Sequence, residues 1–239
     1  MILNRELWNL DFKKEYYDYL GSLSNEDKIE WTSKIVNTDM DVLAIPVPKL
    51  KLIAKEIMKG DYISFLDLKL LDNYESTMVY GSIINKLKDI KLIKKYLDIY
   101  VNYVDNWSSC DVLSIDTKDK EKLFDLAISY TKSKKPFVRR VGFRIFFKYL
   151  DDINYLNKIF EVIDNFKLEE HYYVNMIIAW LLCEAFIKNR KVTLKYIEKN
   201  TLNDFVVNKT ISKCRDSFRV SLEDKDMLLK FRRKICQSI

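Results

Sequence analysis

Turn-forming residues are nearly absent from this chain: its 239 residues include only 4 glycines and 3 prolines. β-Sandwiches and α/β folds place many such residues at their turns, so the scarcity argues against both. Metal-ligating residues are equally thin. There is one histidine, His171, and the four cysteines, Cys110, Cys183, Cys214 and Cys236, form no CxxC pair. No metal site is expected from such a set. No run approaches the roughly 20 uncharged apolar residues of a membrane span. The segment Met1 to Trp8 carries Asn4, Arg5 and Glu6 in place of the apolar stretch of a secretory leader. These absences predict a cytoplasmic chain with reduced, mostly buried thiols.

What is present in quantity is Leu, Ile, Lys, Asp and Glu, a composition suited to helices joined by short polar turns. Apolar periodicity predicts helices over 2–20, 24–36, 48–58, 61–71, 74–87, 89–104, 107–113, 119–132, 136–149, 152–164, 170–187, 190–199, 203–217 and 221–236. Ser24 with Asp27 has the spacing of a capping box, and Pro48 and Pro136 suit first-turn positions. Asp119, Asn203 and Ser221 suit N-caps. Helices that begin near Thr77, Trp107, Phe137, Tyr173 and Val206 recur at intervals of about thirty to thirty-six residues, a period that marks stacked helical hairpins. One hairpin cannot cover its own apolar face, so its neighbours must. The fold predicted is a single domain over residues 1–239, all-α, a right-handed α-α superhelix (solenoid) of HEAT-like repeats with one concave wall. A monomer suffices for such a wall to hold a ligand.

The formal net charge is +6, and its distribution says more than its sum. Residues 132–150 read KSKKPFVRRVGFRIFFKYL, with Lys134, Lys135, Arg139, Arg140, Arg144 and Lys148 among them and no acid. Arg140, Arg144 and Lys148 follow one another at four-residue steps, so they share a helix stripe. The bias returns at Arg190 and again at Lys209, Lys213 and Arg215. A row of cations repeated along a solenoid suits a polyphosphate backbone, and double-stranded DNA is the partner this predicts.

Trp107 and Asp111 lie four residues apart and therefore on one helix side. Arg140 and Trp180 fall on later inner helices, and a concave wall would gather all four. Such a set suits a particular hydrolysis. N-alkylated purines are cations, and aromatic faces attract cations. Loss of the base builds oxocarbenium character on the sugar, which a fixed carboxylate stabilises while it holds the attacking water. The cationic base is already a good leaving group, so neither metal nor cofactor is required.

At these residues the chain resembles the AlkD-like DNA alkylation repair family of HEAT-repeat glycosylases. The stretches that carry the resemblance are Ile45-Pro46-Val47-Pro48-Lys49-Leu50, Asn106-Trp107 with Asp111, Phe137-Val138-Arg139-Arg140, Tyr172-Tyr173-Val174 with Ala179-Trp180, and the segment from Asn208 to Ser217. The resemblance implies excision of positively charged alkylpurines from DNA without flipping the lesion into a pocket. It implies Asp111 as the catalytic carboxylate, Trp107 and Trp180 against the lesion's sugar and backbone, and Arg140 as a DNA contact. The chain departs from the family pattern at Ala44, where a glycine is usual, and at Asn175 and Met176, where a polar-basic pair is usual. Two other readings remain open on the residues alone: a non-catalytic DNA-structure binder, and a scaffold for acidic peptides.

Overall fold

The computed structural model describes residues 1–234. Among them are fourteen α-helices and no strand beyond one isolated bridge between Asp41 and Asn73. The chain divides into two compact units, with the boundary after Leu126.

The first unit contains α1 (Phe12–Gly21), α2 (Ile29–Val36), α3 (Val47–Ile57), α4 (Tyr62–Asp67), α5 (Tyr74–Ile84), α6 (Ile90–Tyr100) and α7 (Trp107–Asp111). The division falls inside α8 (Lys120–Thr131). The second unit continues with α9 (Pro136–Phe146), α10 (Ile153–Asp164), α11 (Tyr172–Lys188), α12 (Arg190–Lys199), α13 (Asp204–Asp216) and α14 (Leu222–Leu228). Helix starts follow the capping chemistry of the sequence. The side chains of Asp61, Asn73, Asp89, Asn106, Asp152, Asn203 and Ser221 each accept from a first-turn backbone N–H. Pro48 and Pro136 sit in first turns, where a missing N–H costs nothing.

Alternate helices stack within each unit: α3 on α5 and α5 on α7 in the first, α9 on α11 and α11 on α13 in the second. Polar ties mark the repeat. Tyr74 Oη meets Ser108 Oγ at 2.8 Å and Thr77 Oγ1 meets Ser109 Oγ at 2.8 Å. In the second unit Arg140 Nη1 donates to Tyr173 O (2.6 Å), and Tyr196 stacks on Phe160 at 4.1 Å while its hydroxyl donates to Asp164. Phe143 and Phe146 are fully buried there, each contributing about 1.5–3 kcal/mol. Gly142 lets α9 close on α8, because a Cβ at that position would lie 2.7 Å from Ala127 O.

Three expectations need correction. Residues 2–11 are not helical; they dock as an irregular strap. Trp8 is buried, with its ring 5.0 Å from Phe65, and its backbone N–H donates to Ser64 Oγ, while Arg5 O accepts from Asp61 N. Ser24 caps nothing: its hydroxyl donates to Leu43 O, and the turn starts beyond Asn25 without a side-chain cap. The last predicted helix, 221–236, stops at Leu228 and passes into a short 3-10 turn, Leu229–Phe231. Its end, like Cys236, lies outside the described residues. Cys110, Cys183 and Cys214 are buried. Among the described residues, no helix is long and apolar enough to cross a membrane.

Candidate nucleic-acid interface and active site

Helix α7 has only five residues, too few to persist alone. Its surroundings hold it at both ends. At the start, buried Asn106 accepts from Ser109 N (2.8 Å), and Asp105 accepts from Thr38 Oγ1 (2.6 Å) and Asp39 N (2.8 Å). Trp107 Nε1 donates to Ile35 O at 3.0 Å, which seats the indole against the end of α2. At the far end Asn85 Nδ2 donates to Val112 O (2.9 Å). Buried Cys110 and Ser109 face inward. Trp107 and Asp111, one turn apart and both half-buried, are thereby placed on a braced element.

Ala44 has φ 56°. That is the left-handed region a glycine enters freely and alanine does not. The turn is kept by Glu75, which is fully buried and accepts from Leu43 N (3.0 Å) and Ile45 N (3.3 Å) on either side.

One residue near α7 escaped the sequence reading. Trp31 is 63 % exposed on α2, one turn before Ile35, whose carbonyl receives the Trp107 indole. An exposed tryptophan in a helix of otherwise ordinary amphipathic pattern was the available signal, since large aromatics are rarely left in water without use.

In the second unit Arg144 Cζ lies 5.7 Å from the Trp180 ring centroid and 5.2 Å from that of Phe147, and the two rings are 4.6 Å apart. Trp180 borders an open hollow of about 310 Å3 that Lys213 also lines, with Arg219 paired to Glu184 across it. Arg140 is 5 % exposed and holds the Tyr173 carbonyl. Arg139 Nη2 donates to Glu169 Oε1 (2.9 Å), and its Nη1 reaches the carbonyls of Ser133 and Lys134. Arg190 is paired with Asp224. Lys134, Lys135 and Arg215 are exposed, Lys213 is half-buried, and Lys209 Nζ sits 5.7 Å from the Phe205 ring. Asn175 ties helices together: its amide donates to Glu169 O and its carbonyl oxygen accepts from Asn203.

The imidazole of His171 borders this cluster. Burial pushes its pKa below the ordinary 6.5, and Arg139 and Arg140 act in the same direction against Glu169. A lowered pKa favours the neutral ring in the folded chain, so its stabilisation is present above 6.5 and is lost as pH falls through the folded value. With one histidine in the chain, a single imidazole resonance is expected to titrate by NMR with a midpoint under 6.5. A midpoint above 6.5 would contradict the burial of the ring.

Among the described residues, no three His, Cys, Asp or Glu side chains form a metal-ligand group. The DNA alkylation repair enzyme family matches residues 18–213. The chain belongs to that family. The matched span holds α7, Trp31, the basic segment and Trp180, so both clusters fall within the part shared with other DNA alkylation repair enzymes. A DNA substrate follows from membership. No curated protein matches the chain.

Proposed function

We propose that this protein is a DNA glycosylase that hydrolyses the N-glycosidic bond of positively charged alkylpurines, N7-methylguanine and N3-methyladenine, in double-stranded DNA without flipping the lesion. The observation that carries the reading is Asp111: a half-exposed carboxylate beside an aromatic side chain, on a short helix braced at both ends, within a family of DNA alkylation repair enzymes.

The chemistry follows from those groups. The C1′–N bond breaks and its electron pair leaves with the base, which becomes neutral. Positive charge then develops on the deoxyribose, where the Asp111 carboxylate stabilises it and orients a water molecule. Water adds at C1′, its proton passes to the carboxylate or to solvent, and the products are free base and an abasic site. The Trp107 face favours the same cation, and Trp31 extends the aromatic surface of the first unit. In the second unit Trp180 and Arg144 contact the DNA, with Lys134, Lys135, Lys209, Lys213 and Arg215 on phosphates, while Arg140, buried and bonded to the Tyr173 carbonyl, supports that surface from beneath. Arg139 and Arg190 contribute less, because each already faces a carboxylate. The reaction requires neither metal nor cofactor and needs one monomer.

The test is release of free methylated base from methylated duplex in the presence of a chelator, followed by chromatography. Release of 7-methylguanine or 3-methyladenine is expected. DNA binding with no release, where a control glycosylase releases base, would leave a non-catalytic DNA binder.

A further inference from the structure

The cations read from the sequence all lie beyond residue 131, in the second unit, while Asp111 lies in the first. The first unit has a basic feature of its own. An open hollow of about 500 Å3 lies among α3, the end of α5 and the segment that leaves α7. Lys51 and Lys55, one turn apart on α3, stand on its wall, and Lys86 joins them from beyond the C-cap of α5. No carboxylate lines it. Two hollows of the second unit differ in this respect: one includes Glu184 and Asp216, the other Asp216 and Asp226. All three lysines are exposed, and none has an ion-pair or hydrogen-bond partner for its ammonium group among the described residues. Their near neighbours behave differently: Lys59 is paired with Glu56 and Lys94 with Asp98.

The floor of the hollow is continuous with the candidate acid. Val112, which follows Asp111, lines it together with Ser114. Asn85 fastens both, donating to Val112 O and accepting from Ser114 N at 2.6 Å. Three unneutralised ammonium groups converge on an acid-free hollow that opens beside the segment holding Asp111. Each would gain a charge-assisted bond from an oxyanion and would release a condensed counterion from DNA.

We propose that the Lys51–Lys55–Lys86 hollow is a phosphodiester-binding cradle for the strand whose sugar faces Asp111. The cradle rests on the DNA-repair reading above and extends it to residues outside the basic stripe. It sets the register of the strand on the first unit, since phosphate contacts position a duplex without reading its bases.

The experiment compares two triple variants with the wild-type chain in DNA binding across a salt series. One is Lys51→Gln/Lys55→Gln/Lys86→Gln; the other, Lys59→Gln/Lys94→Gln/Lys122→Gln, removes the same charge from lysines already paired with carboxylates. The cradle variant is expected to lose about tenfold or more in affinity at low salt and to flatten the log–log salt slope by about 2–3, with the paired-lysine variant near wild type. Equal losses in the two variants would reduce the cradle to general charge and overturn it. Wild-type affinity in the cradle variant, with wild-type protein still binding DNA and releasing base, would overturn the cradle and leave the glycosylase reading standing. No DNA binding by the wild-type chain would remove both. Displacement of DNA by millimolar inorganic phosphate at matched ionic strength, lost in the cradle variant, would reassign the hollow to a free anion.

Discussion

Asp111→Asn is expected to lower the rate of methylated-base release by about 100- to 1,000-fold, the usual effect of removing one preorganised electrostatic partner of a transition state. The substitution is nearly isosteric, and α7 is held by Asn106, Asp105, Trp107 and Asn85, none of which it touches in role. Circular dichroism and the melting temperature check that the variant keeps its fold. Affinity for undamaged duplex should hold or rise, because a negative charge that faces phosphodiesters is removed. That pairing of a large rate loss with undiminished binding separates a chemical role from a general one. Release within about threefold of wild type would exclude Asp111 as the stabilising carboxylate.

Glu75→Ala is expected to be the most damaging substitution for stability. The carboxylate is fully buried at the first turn of α5 and accepts the N–H groups on both sides of Ala44. Its loss orphans those donors and frees a left-handed alanine to relax, so the cost is about 2–5 kcal/mol. Against a total of about 5–15 kcal/mol, that corresponds to a drop of about 5–15 °C in melting temperature for a chain of this size. A shift under about 2 °C would mean that the loop does not depend on Glu75. Burial raises the Glu75 pKa above 4.5 despite the backbone donors. The folded chain thus keeps this proton to higher pH than the unfolded chain does. Stability from the protonated form is present below 4.5 and declines as pH rises through the folded value, a slope that Glu75→Gln should remove.

Most helices were legible because their signals are local. The caps at Asn203 and Ser221 and the prolines at 48 and 136 act within one turn. The failures come from partners distant in sequence. Residues 2–11 carry apolar residues at helical spacing, yet Trp8 gains more by docking on Phe65 and Ser64 than a helix of this length would give. Ser24 binds Leu43 O, nineteen residues on. The acid-free run 132–150 was visible, but nothing local showed that Glu169 would take Arg139 or that Arg140 would be buried under Tyr173. Lys51 and Lys55 share α3, but Lys86 lies beyond the end of α5 and Glu56 stands between Lys55 and Lys59, so no long acid-free run betrays the three. Trp107 and Asp111 were readable from spacing; the bracing of their helix was not.

The hydrogen bond from Trp107 to Ile35 spans 72 residues. A five-residue helix cannot nucleate by itself, so α7 acquires its shape only after the end of α2 and the Thr38–Asp39 turn have arrived. Ordering of the candidate acid is then a late event on the folding path, placed behind the closure of a long loop. A chain in which α2 and the Thr38–Asp39 turn had not docked would carry Asp111 on an unformed helix, without the proposed site.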